Sequence, residues 1–112
     1  MAGFSVWDVA RVPFPYADRG TRGHRPALVI ALPEPGEAPP VAWLLMITAA
    51  ENAAWPGDVP IRGLARAGLP IPSVVRCAKI ACVDLRQVER LGRLGAAERV
   101  KVRASLAAIL PA

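Results

Sequence analysis

The sequence predicts a small, mainly β domain: a curled, partly open antiparallel barrel with a C-terminal helix packed on it. Three observations support this. Five short segments rich in β-branched and other apolar residues follow one another up to residue 83, bounded by Pro, Gly or charged stretches. Several connections between them are longer than tight hairpins need, which favours curling. After Gly95 the apolar period changes: Val102, Leu106, Ile109 and Leu110 fall on one face of residues 96–110, with Glu98, Lys101 and Arg103 largely elsewhere.

The elements follow in order. SVWDVARVPF, residues 5–14, reads as a first strand with Pro at its end. PYADRGTRGH, 15–24, is a loop with two Gly and several charges. RPALVIAL, 25–32, is a continuous apolar run, as expected of a strand covered on both faces. PEPGEAPP, 33–40, is a turn by composition, and VAWLLMIT, 41–48, is the third strand. AAENAAWPG, 49–57, is a connector with room for one helical turn. DVPI, 58–61, is a short fourth strand, GLARAGLP a turn region, and IPSVVRCAKIACV, 71–83, a bent or interrupted fifth strand. DLRQVERLGRL reads as one or two helical turns before the terminal helix.

A chain of 112 residues suits a single domain spanning 1–112, and 54% hydrophobic residues supply a core. The start, MAGFSVWDVARV, lacks the pattern of a signal peptide, and the longest apolar runs are too short to cross a bilayer. A soluble cytoplasmic protein is the default expectation. Cys77 and Cys82 are the only cysteines and His24 the only histidine. Their spacing is not that of a zinc knuckle, so the cysteines read as small apolar residues, and no metal or other cofactor is expected. The carboxylates are dispersed, with no cluster suited to Mg²⁺. The formal charge is +5, and twelve of the fourteen basic residues are Arg. Arg suits phosphate, but abundant Ala and Pro point equally to a GC-rich coding bias, so the charge favours an anionic partner only mildly.

A geometric inference comes from the turn 33–40. If strands 25–32 and 41–48 form an antiparallel hairpin about it, paired residue numbers sum to 73 and Arg25 lies opposite Thr48. Directly opposed Cβ atoms sit roughly 4.5–5.5 Å apart. A guanidinium and a hydroxyl then share one edge of the sheet beside the loop 15–24. Arg and Thr also commonly end strands in solvent, but the long loop beside them is of the kind that carries function.

WDVARVPFPYADRGTRGHRPALVI resembles the opening of the MazF/PemK toxins of type II toxin–antitoxin systems. The likeness continues through MIT at 46–48, PGDVPI at 56–61, AGLPIPSVVR at 67–76 and LGRL at 91–94, so it covers nearly the whole chain. The AGL…PSVVR block is similar to the PemK-like branch. Trp7 stands where the family commonly carries Gly before the Asp, and Ala49 stands where many relatives have a second hydroxyl.

The resemblance implies an SH3-like barrel, a homodimer, metal-independent and sequence-specific cleavage of single-stranded RNA, and inhibition by an antitoxin, expected to be acidic and partly disordered. The family's catalytic Arg and Thr map onto Arg25 and Thr48, the pair that the hairpin register brings together. Such cleavage uses the substrate's own 2′-OH and leaves a 2′,3′-cyclic phosphate and a 5′-OH. His24, beside Arg25, is a candidate catalytic or RNA-contacting residue. Asp18, Arg19 and Arg22 in the loop, Ser73 and Arg76 in PSVVR, and Trp55 in the connector are candidate RNA-binding residues. Trp7 and Trp43, within strands, read as core. A DNA-gyrase poison and a catalytically silent binding module are alternative uses of the same fold. Gyrase poisons of this fold carry a Trp near the C-terminus, whereas this chain has none after residue 55.

Overall fold

The computed structural model describes residues 3–13, 23–32 and 40–110. Its strands are β1 (Asp8–Pro13), β2 (His24–Ala31), β3 (Val41–Ala49), β4 (Asp58–Ile61), β5 (Ser73–Asp84) and β6 (Glu89–Arg93); the helices are α1 (Leu64–Ala67) and α2 (Ala96–Ile109). A short 3₁₀ turn, Leu85–Gln87, links β5 to β6. The strands form one sheet in the order β4-β5-β3-β2-β1-β6, and the pairs are antiparallel throughout.

The alternation of side chains along these strands feeds two cores. One contains Val9, Leu28, Leu45, Ile47, Val75, Leu94 and Val102. The other contains Ala10, Val12, Ala27, Val29, Leu44 and Met46. Curling of the sheet lets both sets be buried, which is why β2 and β3 read as continuous apolar runs. β5 is bent as expected: Leu45 pairs with Ile80 but Met46 with Arg76, so Cys77, Ala78 and Lys79 bulge out of the ladder.

The structure corrects several expectations. The segment 84–94, where one or two helical turns were expected, holds only the 3₁₀ turn Leu85–Gln87 and then runs on as β6. Val88, Leu91 and Leu94 recur every third residue, which imitates a helix. In fact Val88 packs into the second core while Leu91 and Leu94 serve the first. A bulge makes this possible: Val9 pairs with Gly92 and Ala10 with Arg90, leaving Leu91 between them. The turn region 63–70 contains the helical turn α1, and the connector 49–57 contains none.

Trp43 lies in β3 as expected but is 48% exposed, because its part of the sheet face extends beyond the first core. Of the four apolar residues assigned to one face of α2, Val102 is buried and Leu106 packs against the first core, whereas Ile109 and Leu110 are exposed. Ser105 Oγ donates to the Gly57 carbonyl at 2.8 Å, tying the helix to the turn before β4.

Trp7 precedes β1 with φ of +82° and packs partly buried against the first core. Its N–H donates to Val29 and its carbonyl accepts from Leu94, so the backbone is pinned on both sides. The position requires a left-handed conformation, which explains physically why a Gly suits it. The Arg103 guanidinium lies 5.1 Å over the Trp7 ring.

Candidate functional site

Ala27 and Met46 are directly paired, as are Leu28 with Leu45 and Val29 with Leu44. All three pairs keep the predicted register, which places Arg25 opposite Thr48 when continued toward the strand ends. A bulge between Val29 and Ala31 shifts the far end only. Ala27 and Met46 both belong to the second core. Arg25 and Thr48 each lie two residues beyond, so alternation puts all four on one face. On its other side Arg25 pairs with Val12 of β1, which holds its backbone inside the sheet.

A cleft of about 370 Å³ opens at this end of the sheet, lined among others by His24, Arg25, Thr48, Asn52 and Ser73. Leu69, Pro70 and Ile71 form an apolar lip. No Asp or Glu is among its described lining residues, so the charge available there is cationic or neutral. Thr48 Oγ1 accepts a hydrogen bond of 2.6 Å from Asn52 Nδ2. Ser73 is buried, and its Oγ donates to the Ile71 carbonyl at 2.9 Å. His24 is exposed at the start of β2 and borders the same cleft.

The other candidates are placed differently. Asp18, Arg19 and Arg22 lie outside the described residues. Arg76 is absent from the cleft lining and stands directly across from Asp58. It is buried, its Nη2 donates to the Ala53 carbonyl at 2.7 Å, and its guanidinium lies 4.4 Å over the Trp55 ring. Trp55 is partly exposed on the connector beside this cluster. Ser73 and Arg76 are three residues apart in one regular stretch of strand, so they face opposite sides of the sheet.

Electrostatics hold the connector in place. Burial pushes the Asp58 carboxyl up, but the hydrogen bonds from Arg76 and the Trp55 N–H outweigh it and hold it below its ordinary range. Asn52 follows from this arrangement, since Ala53 and Trp55 are both anchored. Sequence reasoning missed Asn52. The available signal was an Asn in the turn four residues after Thr48, a residue type that bonds locally at turns.

Cys77 is buried in the first core, where burial pushes its thiol up. Cys82 is exposed. Among the described residues no cluster of His, Cys, Asp and Glu is arranged to hold a metal ion. Nor is any described helix long and apolar enough to cross a membrane.

Comparison with known proteins places this geometry. Residues 5–110 match the model of the family described as PemK-like, MazF-like toxin of type II toxin–antitoxin system. Among solved structures, MazF from Deinococcus radiodurans has a TM-score of 0.68 at 22% identity, with 96% of each chain covered. A MazE–MazF structure from the same organism has a TM-score of 0.67 at 22% identity, covering 95% of this chain and 93% of that one. The Mycobacterium tuberculosis toxin MazF-mt6 has a TM-score of 0.66 at 16% identity, covering 90% and 93%. These structures share the fold, a mainly β half-barrel with a C-terminal helix. Curated proteins provide no match. With the family model spanning nearly the whole chain, this protein belongs to the PemK-like, MazF-like toxins of type II toxin–antitoxin systems.

Proposed function

We propose that the protein is a metal-independent, sequence-specific endoribonuclease that cleaves single-stranded RNA, and that this activity inhibits translation and growth. The observation that carries the reading is the cleft itself. Arg25 and Thr48 share one face at its border, and no carboxylate is among its described lining residues. A phosphodiester fits such a site, because a cation and neutral donors stabilise it without like-charge repulsion.

The reaction follows from the substrate. The 2′-oxygen attacks the adjacent phosphorus, the bond from phosphorus to the 5′-oxygen breaks, and the products are a 2′,3′-cyclic phosphate and a 5′-OH. One proton leaves the 2′-OH and one reaches the departing oxygen. Negative charge grows on the non-bridging oxygens, where Arg25 supplies a bidentate fork and Thr48 one further donor. Imidazole is the side chain suited to exchanging protons near neutrality, which makes His24 the candidate for proton transfer or RNA contact. Ser73 lines the cleft and Trp55 offers an exposed ring for base stacking. Arg76 is better suited to holding the connector that carries Trp55 than to gripping RNA directly, since its guanidinium already bonds Asp58 and Ala53. The loop residues Asp18, Arg19 and Arg22 are assigned to RNA contact on sequence grounds alone.

The same reading gives the toxin a cognate antitoxin, a homodimeric assembly and a cytoplasmic site of action. The deciding experiment incubates purified protein with a mixed RNA ladder in EDTA. Discrete cuts bearing 5′-OH ends are expected. Intact RNA would overturn the reading, and arrest of gyrase supercoiling in its place would favour the gyrase-poison use of the fold.

A further inference from the structure

We infer that Asn52 is a positioning residue that aims the Thr48 hydroxyl at the bound phosphate. The inference rests on the ribonuclease reading above and deepens it. A threonine hydroxyl has one proton to donate and two lone pairs to accept with. Asn52 Nδ2 lies 2.6 Å from Thr48 Oγ1, and an amide nitrogen can only donate. The bond therefore fills an acceptor position on the hydroxyl and leaves its proton for a different partner. Both side chains line the cleft with Arg25, so the anion held there is the acceptor within reach. Thr48 is also β-branched, which restricts the torsion that would otherwise let the hydroxyl wander.

The backbone supports this placement. The Asn52 N–H donates to the Ala49 carbonyl at 3.0 Å, closing a turn immediately after β3. The next residue is tied through its carbonyl to Arg76 at 2.7 Å. Two residues further, the Trp55 N–H donates to Asp58 at 3.0 Å. Asn52 thus stands on an anchored connector, in a chain with no second hydroxyl next to Thr48: the following residue is Ala49. Orientation of the single hydroxyl falls to the amide.

The test is a double-mutant cycle on a labelled single-stranded RNA in EDTA, reading kcat and KM separately, with thermal unfolding as the control for folding. Asn52→Ala is expected to lower kcat about tenfold, the worth of one hydrogen bond, with KM nearly unchanged. In a Thr48→Ala background the same change is expected to cost less than about twofold, because the group it orients is gone. Asn52→Asp keeps the shape and the turn but presents only acceptors, so it is expected to lose at least as much as Asn52→Ala. An undiminished rate in either Asn52 variant overturns the inference. So does an equal loss with and without Thr48, or an effect confined to KM, which would make Asn52 an RNA contact. If the unsubstituted protein leaves RNA intact, the ribonuclease reading itself falls and takes this inference with it.

Discussion

Arg76 faces Asp58 across the β4–β5 ladder, with Nε 3.2 Å from Oδ1 and Nη2 2.9 Å from Oδ2. Both side chains are only 10% exposed, so solvent does little to replace a lost partner. Removing one member of a buried pair costs about 3–5 kcal/mol. Residual exposure here places Arg76→Met at or just below the lower end, about 2–3 kcal/mol less stable. Urea unfolding at neutral pH measures this, and an unchanged midpoint would show that the pair contributes nothing.

Acid is expected to weaken the fold through the same carboxylate and one other. At Asp58 burial raises the pKa, but the bonds from Arg76 and Trp55 win and the net shift is downward. At Glu98 burial also raises it, and the backbone N–H groups of Arg62 and Gly63, at 2.8 and 3.2 Å, again outweigh that. A pKa lowered on folding gives stability that is complete above the unfolded value of about 4 and is lost as pH falls through the folded value. The urea midpoint should therefore stay level from neutral pH down to about 5 and drop below about 4. Asp58→Asn should flatten that acid limb, and an equally steep limb in the variant would remove Asp58 from the account. Asp84, held at about 2 by Arg86, is half-buried beside an exposed, solvent-screened partner and should matter little to the curve.

Trp7 should reverse a familiar order of substitutions. Gly is ordinarily less stable than Ala in regular structure by about 0.5–1 kcal/mol. At φ of +82° the penalty falls on any residue with a Cβ. Trp7→Ala and Trp7→Gly both lose the ring packing and the Arg103 contact. We expect Trp7→Gly to be the more stable of the two by about 1 kcal/mol, read from paired thermal melts. Greater stability for Trp7→Ala would mean that the left-handed backbone at this position is not required.

Cleavage kinetics should separate the two neighbours at the start of β2. Arg25→Ala removes the only Arg or Lys lining the cleft among the described residues and is expected to lower the rate at least about a thousandfold. His24→Ala is expected to lose less, about ten- to a hundredfold. Single-turnover rates on one RNA decide it. A near-normal Arg25→Ala enzyme beside a dead His24→Ala enzyme would reverse the assigned roles.

Local signals carried much of the architecture. DVPI is a strand at 58–61 within the limits its flanking turn residues suggest. Strands β2 and β3 start and end within one residue of the apolar runs that predicted them. The hairpin register followed from the centre of one turn, because antiparallel pairing about a turn leaves little freedom. Elsewhere local signals misled: Val88, Leu91 and Leu94 looked helical because a bulge and two cores can imitate a three-residue period. Trp43 looked like core because a strand pattern says which face a side chain takes, not how far the opposing layer extends.

The sequence by itself determined what neighbouring residues decide together: the first five strands along the chain, the closing helix and the strand ends that carry Arg25 and Thr48. Tertiary structure alone decided the partners distant in the chain. It set Arg76 against Asp58 and the connector, and Glu98 against the N–H groups before α1. The physical reason is that side-chain periodicity encodes orientation at each position, whereas hydrogen bonds and burial at this site depend on where separate segments meet once the sheet has curled.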